Sequence, residues 1–135
     1  MDLDQKIVLL ITSSINVSAP FVALTDTNQR VELTLKAISK WFSTYDGIQI
    51  VICDGSGFDF TGLVDSEYFS RIECISFLND VEKVKQYGKG YGEGEIIKYA
   101  LENSIFLANT HVFAKCTGRL FVKNFLELKK SFTKD

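Results

Sequence analysis

The sequence predicts an α/β fold, a three-layer sandwich built on a mostly parallel sheet. Three observations predict it. Apolar, β-branched runs without polar alternation recur along the chain, and such runs belong to strands buried on both faces. Amphipathic segments with helical spacing lie between them. The resulting order, β-α-β-β-α-β-α, requires crossovers that lay helices on the sheet.

The first run is Lys6–Val17, "KIVLLITSSINV", which ends in small polar residues. A loop over 18–29 holds the single proline, Pro20. Arg30–Tyr45 follows as a helix with Val31, Leu35, Ile38 and Phe42 on one face. Asp26 or Thr27 would cap its start, and Asp46-Gly47 closes it. Ile48–Gly57 is a second buried strand ending in Asp54, Gly55, Ser56 and Gly57. After a turn-rich connection, Arg71–Asn79 alternates well enough for a third strand. From Asp80 through four spaced glycines (Gly88, Gly90, Gly92, Gly94) the chain is expected to turn, then to become helical as far as Ala108. His111–Val122 is the fourth expected strand, interrupted at Thr117-Gly118, and Lys123–Asp135 a short amphipathic helix. No repeat or low-complexity linker divides the chain, so residues 1–135 are expected to form one domain.

With 46% hydrophobic and 24% charged residues, the chain is globular in composition rather than disordered. Its net charge of −2 gives no basic excess for binding nucleic acid. Lys83 with Lys85, and Lys129 with Lys130, read as solvated faces. Cys53, Cys74 and Cys116 sit among apolar residues, far apart and without a C-x-x-C. With His111 as the one histidine they do not complete a usual zinc set, and reduced core thiols are expected. The start "MDLDQK" is acidic and "IVLLI" is too short to span a bilayer, so no transmembrane segment and a cytoplasmic location are expected.

In open α/β sheets ligands bind off the carboxyl ends of the strands. Thr12, Ser13 and Ser14 end the first strand, Asp54 to Gly57 the second, and Lys115 to Arg119 lie in the fourth. Asp54 and Ser56 have the acceptor and donor to meet a nucleobase or ribose, or they form a plain D-G turn. Arg30, at the expected start of a helix, is poorly placed against the helix dipole. An anion or carboxylate partner would explain it, with Glu32 and Asp26 as ordinary candidates. Lys115, Thr117 and Arg119 alternate, so an extended strand turns all three to one face. They suit a clamp on a diphosphate or carboxylate, or else the cationic protection of an edge strand. His111 is expected in a loop.

The glycine run fails the tests for a phosphate loop. It is not G-x-x-x-x-G-K-[ST], its G-x-G-x-x-G register is broken, and no buried strand precedes it directly. Glu93 and Glu95 would repel a phosphate, although Lys89 would attract one. A tight entry to a helix is the expectation, where bare backbone can approach a ligand or strand, with Lys89, Glu93 and Glu95 beside it.

The blocks "TSSINV", "TDTNQRVELTLKAISKW", "ICDGSG", "YGKGYGEGEIIKYALENS" and "VFAKCTGRLFVKN" come in an order that is familiar. Together they resemble the nucleotide-binding half of bacterial GT-A-type glycosyltransferases of capsule and lipopolysaccharide synthesis. The pairing of K-G-x-G-E-G with K-x-T-G-R is similar to a group of sugar transferases. The resemblance covers most of the chain and implies a Rossmann-like GT-A sheet with a nucleotide-sugar as donor substrate and no other cofactor. It further implies Thr12 and Ser13 near the nucleotide, Arg30 on the first helix and Asp54 on the base. The glycine block would pass beneath the sugar, and "KCTGR" would stand where many such enzymes carry D-x-D. No D-x-D is present, so no metal is expected; Lys115 and Arg119 would neutralise the leaving phosphates instead.

GT-A enzymes normally continue into an acceptor-binding half, whereas this chain ends after one short helix. It is therefore expected to be a fragment, to assemble as a homo-oligomer or with a partner subunit, or to have lost catalysis. The leading expectation is binding of a nucleotide-sugar for transfer to a saccharide acceptor, on a surface polysaccharide, in the cytoplasm or peripheral to the inner face of the membrane. The alternative is a non-catalytic α/β interaction module or remnant. A sugar-phosphate nucleotidyltransferase shares the architecture but usually has a glycine-rich loop after the first strand, which "TSSINVSAP" lacks.

Overall fold

Four strands, β1 (Ile7–Ser13), β2 (Ile48–Asp54), β3 (Ile72–Ser76) and β4 (Ala114–Thr117), form one sheet in the order β3-β2-β1-β4. Every pairing is parallel. The structure, a computed structural model, describes residues 7–16, 24–118, 120 and 121, with the backbone alone at 24–26. The registers Ser13↔Asp54, Thr12↔Thr117 and Asp54↔Ser76 align the carboxyl ends of all four strands on one edge.

The strands are apolar on both sides because helices cover both sides. Leu9 and Ile11 of β1 join Ile50 and Ile52 of β2 in one core, against Ile38, Trp41, Phe42 and Tyr45. Val8 and Leu10 join Val51 and Cys53 in the other, against Ile96, Ala100 and Leu107. Each fully buried Leu or Ile contributes roughly 1.5–3 kcal/mol before chain entropy is counted, so this two-sided burial explains the unbroken hydrophobic runs. The α/β sandwich expected from the sequence is the observed architecture.

The first crossover is helix α1 (Leu24–Thr44), which carries no Gly or Pro. It begins before the expected Arg30, so Asp26 and Thr27 lie inside it rather than capping it, and Arg30 stands in its second turn. Gly47, at φ 77°, permits the reversal into β2. The second crossover has no α-helix. Residues 55–71 pass over the α1 side, bury Phe60 and Val64 there, and end in a 3-10 helix, Ser66–Arg71.

The third crossover runs over the opposite face as α2 (Val81–Tyr87), α3 (Lys89–Asn103) and α4 (Ile105–Ala108). The reversal in side follows from handedness: the chain reaches β3 on one side of β1 and must return to β4 on the other. The expected glycine turn is corrected here. Only Gly88, at φ 91°, breaks the chain between α2 and α3, while Gly90, Gly92 and Gly94 are helical. Gly92 is buried against Val84 of α2, where an added Cβ would come within 3.4 Å of that side chain.

At the far end of α3, Glu73 of β3 accepts hydrogen bonds from Ser104 Oγ (2.6 Å), Ile105 N (2.9 Å) and Phe106 N (3.0 Å). A strand carboxylate thereby satisfies the first amides of α4, which a helix cannot satisfy itself. Beyond β4, Leu120 O accepts from Trp41 Nε1 at 3.3 Å, and the Phe121 ring lies 4.7 Å from that of Trp41. The third and fourth strands are shorter than expected, and the expected helix 123–135 lies outside the described residues. Among the described residues no helix is long and apolar enough to cross a membrane.

Candidate functional site

Strand order reverses between β1 and β4, and the crossovers to either side lie on opposite faces. A crevice at the carboxyl ends of these two strands is where such sheets take ligands. Alternation along β4 turns Ala114 and Cys116 into the α1-side core and leaves Lys115 and Thr117 exposed on the α3 side. Thr12, the register partner of Thr117, is on the same side of β1 as Val8 and Leu10.

Glu93 reaches this place from the second turn of α3. Its Oε1 accepts from Thr12 Oγ1 at 2.9 Å and from Lys115 Nζ at 2.6 Å. Both charged side chains are 35% exposed, so the pair is open to solvent at the rim. The second oxygen, Oε2, has no hydrogen-bond partner among the described residues. Thr12, Glu93 and Lys115 are therefore hydrogen-bonded together, with Thr117 beside Thr12 in register, whereas the sequence places Lys115 and Thr117 in a clamp with Arg119 and Glu93 elsewhere, in the glycine block. The arrangement differs from a cationic clamp, because a carboxylate already holds the lysine. Arg119 lies outside the described residues.

Asp54 and its neighbours form a separate structure. The Asp54 carboxylate is fully buried, and both its oxygens are engaged. Oδ2 accepts from Ser13 Oγ (2.7 Å) and Ile15 N (3.0 Å). Oδ1 accepts from Ser56 N (2.7 Å), Ser56 Oγ (2.5 Å) and Phe58 N (3.2 Å). A buried carboxylate is tolerated only when its lone pairs are met in this way. The expected contact of Asp54 with a base is thus replaced by a structural duty, tying the loop after β1 to the loop after β2. Ser13 and Ser56 serve the same knot, and Ser56 Oγ also accepts from Asn16 N at 2.9 Å.

The remaining candidates are dispersed. Arg30 Nη1 donates to Ser14 O over a long 3.4 Å, above the end of β1. Lys89 is the first residue of α3 and is exposed, with no polar partner among the described residues. Glu95 stands two residues beyond Glu93 and so faces elsewhere. Its Oε1 accepts from Asn79 Nδ2 (2.9 Å) and Asp80 N (3.0 Å), bracing the loop after β3. Asn16 and Asn79 escaped the sequence reading, since neither stands in a pattern that announces a partner.

Cys53, on the α3 side of β2, is no nucleophile. Burial, helped by the neighbouring Asp54 charge, pushes its thiol up to about 12, where it stays protonated. Burial also raises Cys74, to about 11, and Cys116. Among the described residues no group of three His, Cys, Asp or Glu side chains is placed to hold a metal ion. No protein-family model matches the chain, and no curated protein or solved structure matches it either.

Proposed function

We propose that the crevice between β1 and β4 binds a nucleotide-activated sugar, as a glycosyltransferase-like domain serving surface-polysaccharide synthesis. The observation that carries this reading is the meeting of Thr12, Glu93 and Lys115 at the reversal of strand order. An ammonium group has three donors, and Glu93 takes one. The others have no partner among the described residues, and they suit a diphosphate and would offset charge on a departing nucleotide, the electrostatic task a metal performs elsewhere. Glu93 Oε2 and the Thr117 hydroxyl suit sugar hydroxyls. Glu93 beside the lysine tempers its charge, which favours a ligand with both hydroxyls and phosphate over a bare phosphate. On this reading the domain works in the cytoplasm, at the inner face of the membrane, with a partner subunit or a second copy completing the acceptor side.

A thermal-shift panel of UDP-, GDP-, dTDP- and CMP-sugars, with and without EDTA, tests it. One donor class should raise Tm equally in both conditions, and Lys115→Ala should remove the shift. A melting curve unmoved by every donor would leave the fold as a non-catalytic interaction module.

A further inference from the structure

A concavity lies along the outer side of α3 and beside the carboxyl end of β3, apart from the β1–β4 edge. It is an open groove of about 830 Å³ and shares no residue with Thr12, Glu93 or Lys115. Three rings line it: Phe77, Tyr91 and Tyr99. Phe77 and Tyr99 are stacked, with centroids 4.3 Å apart and planes at 9°, and both rest on the α3-side core, so this wall is fixed. Between the rings stand Asp80, Glu95, Lys98 and Glu102. Glu95 is held in place by Asn79 and the Asp80 amide, as described above.

Gly90 and Gly94, one helical turn apart and both exposed, also line it. Neither has a positive φ, and an added Cβ would meet nothing within 4 Å among the described residues. Glycine inside a helix is less stable than alanine by about 1 kcal/mol, and here neither packing nor backbone geometry asks for it. Gly92 is different, because α2 packs on it. Side chains at 90 and 94 would project into the groove, and the bare backbone leaves that space open.

We propose that this groove binds a neutral saccharide of one or two pyranose units. Tyr91 and the outer surface of the Phe77–Tyr99 stack offer apolar surface for the C–H side of a sugar, and carboxylates and an ammonium offer acceptors and donors for its hydroxyls, the mixed lining typical of small-ligand sites. Three carboxylates against one lysine disfavour an anionic ligand. The same charge density is wrong for the centre of a protein interface, which is depleted of Lys, Glu and Asp. The proposal goes beyond the preceding reading: it concerns a separate saccharide site at a different place in the fold, and it stands or falls independently of the nucleotide-sugar.

The test uses amide chemical-shift mapping of the full chain by NMR, titrated with maltose, lactose and N,N′-diacetylchitobiose. At least one should move the amides of residues 90–102 and leave those of Thr12 and Lys115 still. Gly94→Ala should raise Tm, because the helix gains, while weakening that saccharide about tenfold or more. Unchanged affinity in Gly94→Ala would overturn the proposal, as would three silent titrations. Shifts confined to the crevice would overturn it too, and so would shifts at 90–102 that track protein concentration, the mark of a second copy. The nucleotide-sugar reading fails separately, by silence at Thr12 and Lys115 when the donors are added.

Discussion

Glu93 and Lys115, 22 residues apart in the chain, meet at 2.6 Å and join α3 to β4. The bond holds together two elements that also flank the reversal of strand order. Both side chains are about one-third exposed, and an ion pair so placed stabilises a fold by at most about 1 kcal/mol. Its value to the molecule is therefore better sought in what the pair presents to solvent.

Lys115→Ala should lower stability by less than about 1 kcal/mol in urea titration, while the donor-induced thermal shift disappears. Glu93→Gln keeps an oxygen for Thr12 to donate to and removes the charge. It should preserve the melting temperature within a few degrees and weaken selection between sugars on the same nucleotide. A loss of stability much larger than this in either variant would mark the pair as structural.

Asp54→Ala should be severe. It strands donors at Ser13, Ile15, Ser56 and Phe58 at once, at a cost of about 3 kcal/mol or more given 1–3 kcal/mol for each unmet buried group. Asp54→Asn should also destabilise, because its amide NH₂ would face donors. Urea midpoints measure both. A near-native midpoint for Asp54→Ala would mean the loops do not depend on the carboxylate.

Gly55→Ala should destabilise the fold by about 1–3 kcal/mol through overpacking. An added Cβ would collide with Asn79 Oδ1 and come within 2.8 Å of Ile96 Cγ1. Asn79 is the residue that bonds Gly92 O and Glu95, so the clash should also perturb the start of α3. Amide shifts at Gly92 and Glu95 report it.

Alkaline pH should weaken the fold through its thiols. Burial raises Cys53 from 9.0 to about 12 and Cys74 to about 11. Below pH 9 both folded and unfolded chains hold these protons, and stability is insensitive to them. Between pH 9 and about 12 the unfolded chain has released protons that the folded chain retains, so unfolding becomes easier as pH rises. Denaturation midpoints should fall across that window, and Cys53→Ala should flatten the fall although its starting stability is lower. Rapid alkylation of Cys53 in the native protein near neutral pH would contradict its burial.

The sheet was legible because strands buried on both faces write themselves as continuous runs such as Leu9–Ile11 and Ile50–Ile52. The carboxyl edge was legible too, since Thr12, Asp54 and Lys115 each follow or interrupt such a run. Which of these is buried and which stands open to solvent was not. Asp54 and Lys115 look alike in sequence, each a charge beside apolar residues, and only the count of donors around Asp54 separates a buried knot from an open rim. Arg30 misled because helix starts are set by capping and tertiary packing, and α1 extends upstream of the apolar stripe. The glycine run misled for a related reason: Gly90, Gly92 and Gly94 have unfavourable helix propensity, and the burial of Gly92, Ile96 and Ala100 overrides it.

Glu73 has a consequence for how α4 is held. A four-residue helix has no stability of its own, and the first amides of α4 are satisfied by a carboxylate 32 or 33 residues upstream. Beside the local cap from Ser104 Oγ to Leu107 N, the helix thus leans on β3 for its first amides, and we predict that its protection depends on that strand. In hydrogen exchange the amides of Ile105 and Phe106 should open together with β3, and Glu73→Gln should speed their exchange while leaving β1 and β2 as slow as before.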